Sequence, residues 1–164
     1  MNTLAAGDEA LLFTLNTADG QRYDLAEALG QGPVLIVFVK TTCGTCDLLF
    51  PYLNHLVDGY GGEGWHLWAV SQDGPAPSRD YAQRQEARFP VLVDGPGWPV
   101  SSAYDPPATP TLFLIAPDGR VEETSAGFSK DDLNDLSRRL AGYLGRRPLT
   151  VAKDDDGRPS FRPG

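Results

Sequence analysis

The sequence predicts an α/β sandwich in which helices cover both faces of a mixed β-sheet. Three observations lead there. Residues 34–39 (VLIVFV) form an unbroken apolar, β-branched and aromatic run, the composition of a central strand covered on both sides. Strand-like and helix-like patterns alternate through the middle of the chain, and the first crossover is long enough for a right-handed βαβ unit. Residues 111–115 and a partner starting near Arg120 flank the turn residues APDG, which is hairpin chemistry and makes the sheet mixed.

Taken in order, residues 11–15 (LLFTL) alternate weakly like a short strand, and ADGQ after them supplies a turn. Asp24 is placed to cap a brief helix running to Leu29 and stopping at Gly30. Behind the central strand, Leu49, Tyr52, Leu53 and Leu56 recur at helical spacing, so residues 44–58 read as a helix with Pro51 kinking it. Residues 65–71 (WHLWAVS) read as the next strand, and residues 78–88 as an amphipathic helix begun by a Ser cap. A short strand, FPVLV, leads into a Gly/Pro-rich stretch around Trp98, which reads as loop. After the hairpin, residues 129–143 form the last helix, with Ser129 and Asp132 spaced as a capping box. The expected division is one folded domain over residues 1–147 and an extended or disordered tail over 148–164, where apolar residues are few and no period exists.

A chain of 164 residues buries about 70% of its unfolded surface as a single domain, so it needs no disulfide to fold. Its 22 acidic and 14 basic residues give a formal charge of −8. That field repels phosphate backbones and no basic stripe opposes it, so no nucleic-acid partner is expected. The opening residues, MNTLAAGDEALLFTL, lack a basic leader and a signal-peptide core, and no run approaches a membrane span. The expectation is a cytoplasmic location without a membrane partner.

Both cysteines of the chain lie in CGTC, directly behind the central strand. With Cys43 at the mouth of a helix and Cys46 one turn in, the two share a face about 5–6 Å apart, within the reach of a disulfide. Cys43 then meets the unpaired N–H groups at the positive end of the helix, a setting that favours a nucleophilic thiolate. Asp47 opposes this by ~0.5–1 kcal/mol through solvent, against up to ~2 kcal/mol from the helix terminus. The helix terminus is expected to prevail over Asp47. Zinc is the rival reading, but a structural site needs four ligands, and His55 and His66 lack the spacing to complete one. No metal and no dissociable cofactor are expected. In a reducing compartment the pair is more often catalytic or metal-binding than structural.

These residues resemble the thioredoxin superfamily, in particular its TlpA-like/redoxin branch. The strand VLIVFVK precedes CGTC, Pro51 follows Cys46 by five residues, and ATPTLFLIAPDGRV matches the family's cis-proline segment, strand, turn and strand. The stretch between (SQDGPAPSRDYAQRQEARFPVLVD) resembles the extra αβ unit of this branch. The resemblance covers residues 8–143. It implies a three-layer thioredoxin-like sandwich with an N-terminal β extension and a central αβ insert. It further implies that Cys43 and Cys46 are catalytic, that Thr109–Pro110 is a cis bond, and that Thr42, Gly44, Thr45, Thr109 and Pro110 border the substrate. The family's tryptophan before the first cysteine is Thr42 here, the proline inside the motif is Thr45, and the buried acid of ordinary thioredoxins is Val37. Asp73, in the insert, is the candidate proton acceptor in its stead, or a turn residue of QDGP. Trp98 and Tyr104 border a substrate groove or pack in the core.

The expected function is therefore thiol–disulfide exchange on disulfide-containing proteins or small thiol substrates, recharged by a reductase or dithiol donor. Two other readings stand beside it. One is a thioredoxin-fold binding module whose CxxC is vestigial. The other is a peroxide-linked antioxidant protein. The peroxidatic pattern, a threonine three residues before the reactive cysteine, is missing, since Lys40 stands before Cys43 and Cys43 before Cys46.

Overall fold

A computed structural model describes residues 2–164. The chain begins with strands Thr14–Thr17 (β1) and Arg22–Asp24 (β2) and the short helix Leu25–Leu29 (α1). The Asp24 carboxylate accepts from the Ala26 N–H at 3.1 Å, satisfying one orphan donor of α1. Val34–Val39 (β3), Gly44–Tyr60 (α2), His66–Ser71 (β4) and Pro75–Arg84 (α3) follow. Then come Val91–Val93 (β5), Pro99–Tyr104 (α4), Thr111–Ile115 (β6), Val121–Ala126 (β7), Phe128–Ser129 (β8), Lys130–Leu144 (α5) and Phe161–Arg162 (β9).

Seven strands form one sheet in the order β2-β1-β5-β4-β3-β6-β7. β3, β4 and β5 run parallel, while β6, β7, β1 and β2 join antiparallel. All six residues of β3 are buried, and the two-residue period divides them between two cores. Leu35, Val37 and Val39 pack with Leu49, Phe50 and Leu53 of α2 and with Leu133, Leu136 and Leu140 of α5. Val34, Ile36 and Phe38 pack on the other face with Leu25 of α1 and Val100 and Tyr104 of α4. Helices on both faces of a mixed sheet are the predicted class.

Several local expectations change. The first strand lies at Thr14–Thr17 rather than 11–15, because Leu11 and Leu12 are exposed, while Phe13 and, in part, Leu15 turn inward. α3 begins three residues before Ser78. Pro75 presets the first helical φ after Gly74, and Ser78 is buried with its hydroxyl on Ser71 Oγ at 2.8 Å. The Gly/Pro-rich stretch around Trp98 contains α4. Its first amides are held by a distant cap, the buried Asp94, which accepts from Val100 N–H at 3.2 Å and Ser101 N–H at 2.7 Å. The capping box of α5 is half formed. Ser129 accepts from the Asp132 N–H at 3.2 Å, but the shorter Asp132 carboxylate accepts from Ser125 Oγ at 2.6 Å instead of reaching back.

The segment 148–164 is extended and docked. Val151 and Ala152 are buried in the core, and Asn134 pairs with both backbone groups of Ala152. Lys130, 2% exposed, donates from Nζ to the carbonyls of Lys153 and Arg158 and to Asp156 Oδ1 at 2.7, 3.0 and 2.6 Å. Phe161 and Arg162 then pair with β8. Packing of the folded unit thus continues past residue 147, because a buried ammonium at the start of α5 needs acceptors and this segment supplies three.

Candidate active site

β3 delivers the chain to the CGTC turn at its C-terminal end, and α2 carries it away. Cys43 is the N-cap of α2, with φ −102° and ψ 113°, and its Sγ accepts the Cys46 N–H at 3.1 Å. A sulfur thereby takes the place an oxygen usually fills at a helix start, where backbone donors converge on negative charge. Cys43 is half-buried and Cys46 only 1% exposed. Burial pushes the Cys46 thiol well above the ordinary range, and the neighbouring Cys43 adds to the rise. Both sulfurs are free thiols. The pair therefore consists of an accessible sulfur at the helix mouth and a protonated one behind it.

Facing Cys43 is the loop before β6. The Thr109–Pro110 bond is cis, Pro110 is buried, and the Cys43 thiol donates to the Thr109 carbonyl at 3.3 Å. The loop is fixed by Thr111 Oγ1 donating to the Ala108 carbonyl at 2.6 Å and by the Gly127 N–H donating to the Pro110 carbonyl at 2.7 Å. Thr42 and Gly44 are exposed at the rim, whereas Thr45 is buried and donates its hydroxyl to the Pro163 carbonyl at 2.9 Å. The structure thus gathers Thr42, Gly44, Thr45 and Thr109 around Cys43, with Pro110 behind Thr109.

Asp73 lies near this cluster but is engaged elsewhere. Its Oδ2 accepts the Thr41 N–H at 2.6 Å, bracing the turn that leads into Cys43, and it makes no hydrogen bond to either cysteine. The Asp47 carboxylate accepts from Gln85 Nε2 at 2.9 Å and so is held on the α3 side of α2. His55 is exposed on α2, and His66 opens β4 with its Nε2 on Gln31 Oε1 at 2.6 Å, so neither joins the cysteines. Tyr104 is fully buried with its hydroxyl on the Leu11 carbonyl, whereas Trp98 is 55% exposed and donates to the Gln72 carbonyl at 2.8 Å. Trp98 forms one wall of a cavity of about 590 Å³ beside the turn, with Lys40, Thr42, Gln72, Asp73 and Asp105. Of the two aromatic candidates only Trp98 borders the site. Sequence reasoning missed one further neighbour, the segment 162–164. Its only sequence signal is a lone aromatic (FRPG) in an otherwise polar tail.

The model of the AhpC/TSA family matches residues 6–124. The chain belongs to the AhpC/TSA family. Its relatives include the thiol-disulfide oxidoreductase ResA of Bacillus cereus, 30% identical over 139 residues that span 84% of this chain and 76% of the relative. The ResA of Geobacillus kaustophilus is 32% identical over 132 residues, 79% of this chain and 75% of the relative. Among solved structures, a candidate thiol:disulfide interchange protein DsbE from Chlorobium tepidum superposes with a TM-score of 0.77 at 28% identity, covering 87% of this chain and all of the other (100%). These matches place the family member in the redoxin branch of the thioredoxin superfamily, with the three-layer fold that the branch shares.

Proposed function

We infer that Cys43 and Cys46 are the redox couple of this thioredoxin-like thiol–disulfide oxidoreductase, Cys43 attacking and Cys46 resolving. The observation that carries this is the asymmetry of the pair. Cys43 stands half-exposed at the helix mouth with a backbone N–H on its sulfur, and Cys46 is buried one turn behind with its proton held. The Cys43 thiolate attacks one sulfur of a substrate disulfide, that S–S bond breaks, and the leaving thiolate takes up a proton. Cys46 then loses its proton and attacks Cys43 Sγ, closing the intramolecular disulfide and releasing the second substrate thiol. Two electrons pass to the substrate, and an external dithiol or reductase returns them. The Thr109 carbonyl and the rim residues Thr42 and Gly44 lie where the substrate flanking its disulfide would rest. Asp73 positions the turn through Thr41.

Reduction of an insulin-type disulfide with a dithiol donor tests the proposal. The protein should turn over, and Cys43→Ser should abolish turnover while leaving the fold intact. Equal activity in Cys43→Ser would remove Cys43 from the chemistry, and an inert Cys43 towards iodoacetamide at neutral pH would favour a binding module with a vestigial pair.

A further inference from the structure

The segment 148–164 has two parts with different holds. Residues 151–156 are rooted through Val151 and Ala152 in the core and through the clamp of Lys130 on Lys153, Asp156 and Arg158. Beyond Arg158, whose guanidinium lies 5.7 Å from the Tyr52 ring centroid, the chain is exposed, Phe161 by 59%, and is held by a few contacts. The Lys130 N–H donates to the Ser160 carbonyl at 2.9 Å, and Phe128 and Ser129 pair with Arg162 and Phe161. Thr45 Oγ1 donates to the Pro163 carbonyl.

This lightly held tip lies in the cleft beside Cys43. A Cβ built on Gly44, the residue after Cys43, would stand 3.2 Å from the Arg162 guanidinium. A Cβ on Gly127, at the far wall, would stand 2.8 Å from the Arg162 carbonyl oxygen and 3.2 Å from the Gly164 nitrogen. A Cβ on Gly164 would fall 2.5 Å from the carbonyl oxygen of Thr109, the same oxygen that Cys43 Sγ contacts. Glycine at Gly127 on one wall and at Gly164 in the tip itself lets backbone approach backbone so closely, and Gly127 has φ +75° as well, while at Gly44 the neighbour is the Arg162 side chain. An extended chain therefore runs between the CGTC turn and the Thr109 loop, adding a strand to β8.

We propose that residues 161–164 are a displaceable strap that fills the docking cleft of extended polypeptide disulfides and so sets this protein's preference towards small disulfides. The inference rests on the oxidoreductase reading above. Small disulfides reach Cys43 from the open side lined by Thr42 and Trp98, while a polypeptide must first lift the strap. Its apparent affinity is then reduced by the fraction of molecules in which the strap is open. The pairing with β8 and the bonds to the Ser160 and Pro163 carbonyls, offset by the entropy of ordering the tip, leave a net hold that keeps that fraction near one tenth, a penalty of about tenfold.

The test compares kcat/KM for insulin and for hydroxyethyl disulfide in three forms of the protein. These are the full chain, a variant lacking residues 159–164 that keeps the root, and full-length Gly164→Val, whose side chain meets the Thr109 backbone and lifts the tip. Both variants should raise the insulin value by about fivefold to tenfold, with hydroxyethyl disulfide changed by less than about twofold. Should the shortened form not fold, Gly164→Val decides alone. An unchanged insulin-to-small-disulfide ratio would overturn the strap, and a fall in insulin reduction would overturn it by making the segment part of the docking surface. Failure of every form on both substrates would instead refute the oxidoreductase reading, and the strap with it.

Discussion

The release step should carry the pH signature of a buried thiol. Once Cys43 is joined to a substrate, only the thiolate of Cys46 can attack. Burial is the largest cause holding the Cys46 proton, and it persists in the mixed disulfide, whereas the contribution of the Cys43 sulfur diminishes there. Below the raised pKa the thiolate fraction grows about tenfold per pH unit. Release should rise with that slope between about pH 6 and pH 9, with no plateau. The intramolecular position compensates for the small fraction. An effective molarity of at least ~10⁵ M exceeds an external dithiol at about 1 mM by ~10⁸, and a thiolate fraction smaller by a few orders of magnitude still leaves Cys46 ahead by about 10⁴-fold. The assay is single-turnover release of a fluorescent peptide thiol from Cys43, in the wild type and in Cys46→Ser supplied with external dithiol. A plateau below about pH 8 would refute the reasoning and point to a protein group taking the Cys46 proton. Asp73→Asn would then identify it if the plateau vanished.

Two further outcomes concern stability. The Tyr60 hydroxyl bonds the carbonyl and hydroxyl oxygens of buried Ser137 at 2.9 and 2.7 Å and accepts the Leu149 N–H at 2.9 Å, joining α2, α5 and the following segment. Tyr60→Phe should cost about 1–2 kcal/mol, read as a drop of roughly 3–6 °C in Tm; no change would show that the junction is held by packing alone. Burial, with the Asp135 charge beside it, pushes Glu123 up to about 7, although Arg139 Nε lies 3.1 Å from its Oε2 and favours the charged form. A carboxyl raised in the folded state contributes stability in full below its unfolded value near 4.5 and loses it as pH rises through about 7. The urea midpoint should therefore fall over that window in the wild type and fall less in Glu123→Gln, and equal slopes would assign the effect elsewhere.

How much of this was legible in the sequence follows from where each signal resides. Val34–Val39 was exact because six apolar residues in a row have one economical place in a sheet with two covered faces. CGTC was legible because a helix start and a three-residue spacing are local matters. α4 was hidden because its cap, Asp94, acts across an intervening loop that contains Gly95, Pro96 and Gly97, and such glycines and prolines read as breaks. The start of α3 was misplaced because Ser78 bonds Ser71 on another element, which no local pattern reveals. Docking of the segment 148–164 depends on Lys130, a residue whose sequence context reads as the exposed first turn of a helix. Only long-range partners make such a lysine internal. The same holds for the tip beside Cys43, which is held by pairing with β8, by close backbone approach at Gly127 and Thr109, and by one hydroxyl from Thr45, partners far away in sequence.

The central claim, that Cys43 attacks and Cys46 releases, is tested most directly by the sulfur found in a trapped intermediate. Cys46→Ser keeps the attacking thiol and removes the one that frees it, so mixed disulfides should accumulate with substrate. Peptide mapping by mass spectrometry should find the adduct on Cys43, and Cys43→Ser should form none. Adducts through Cys46 in Cys43→Ser, with none through Cys43, would contradict the assignment.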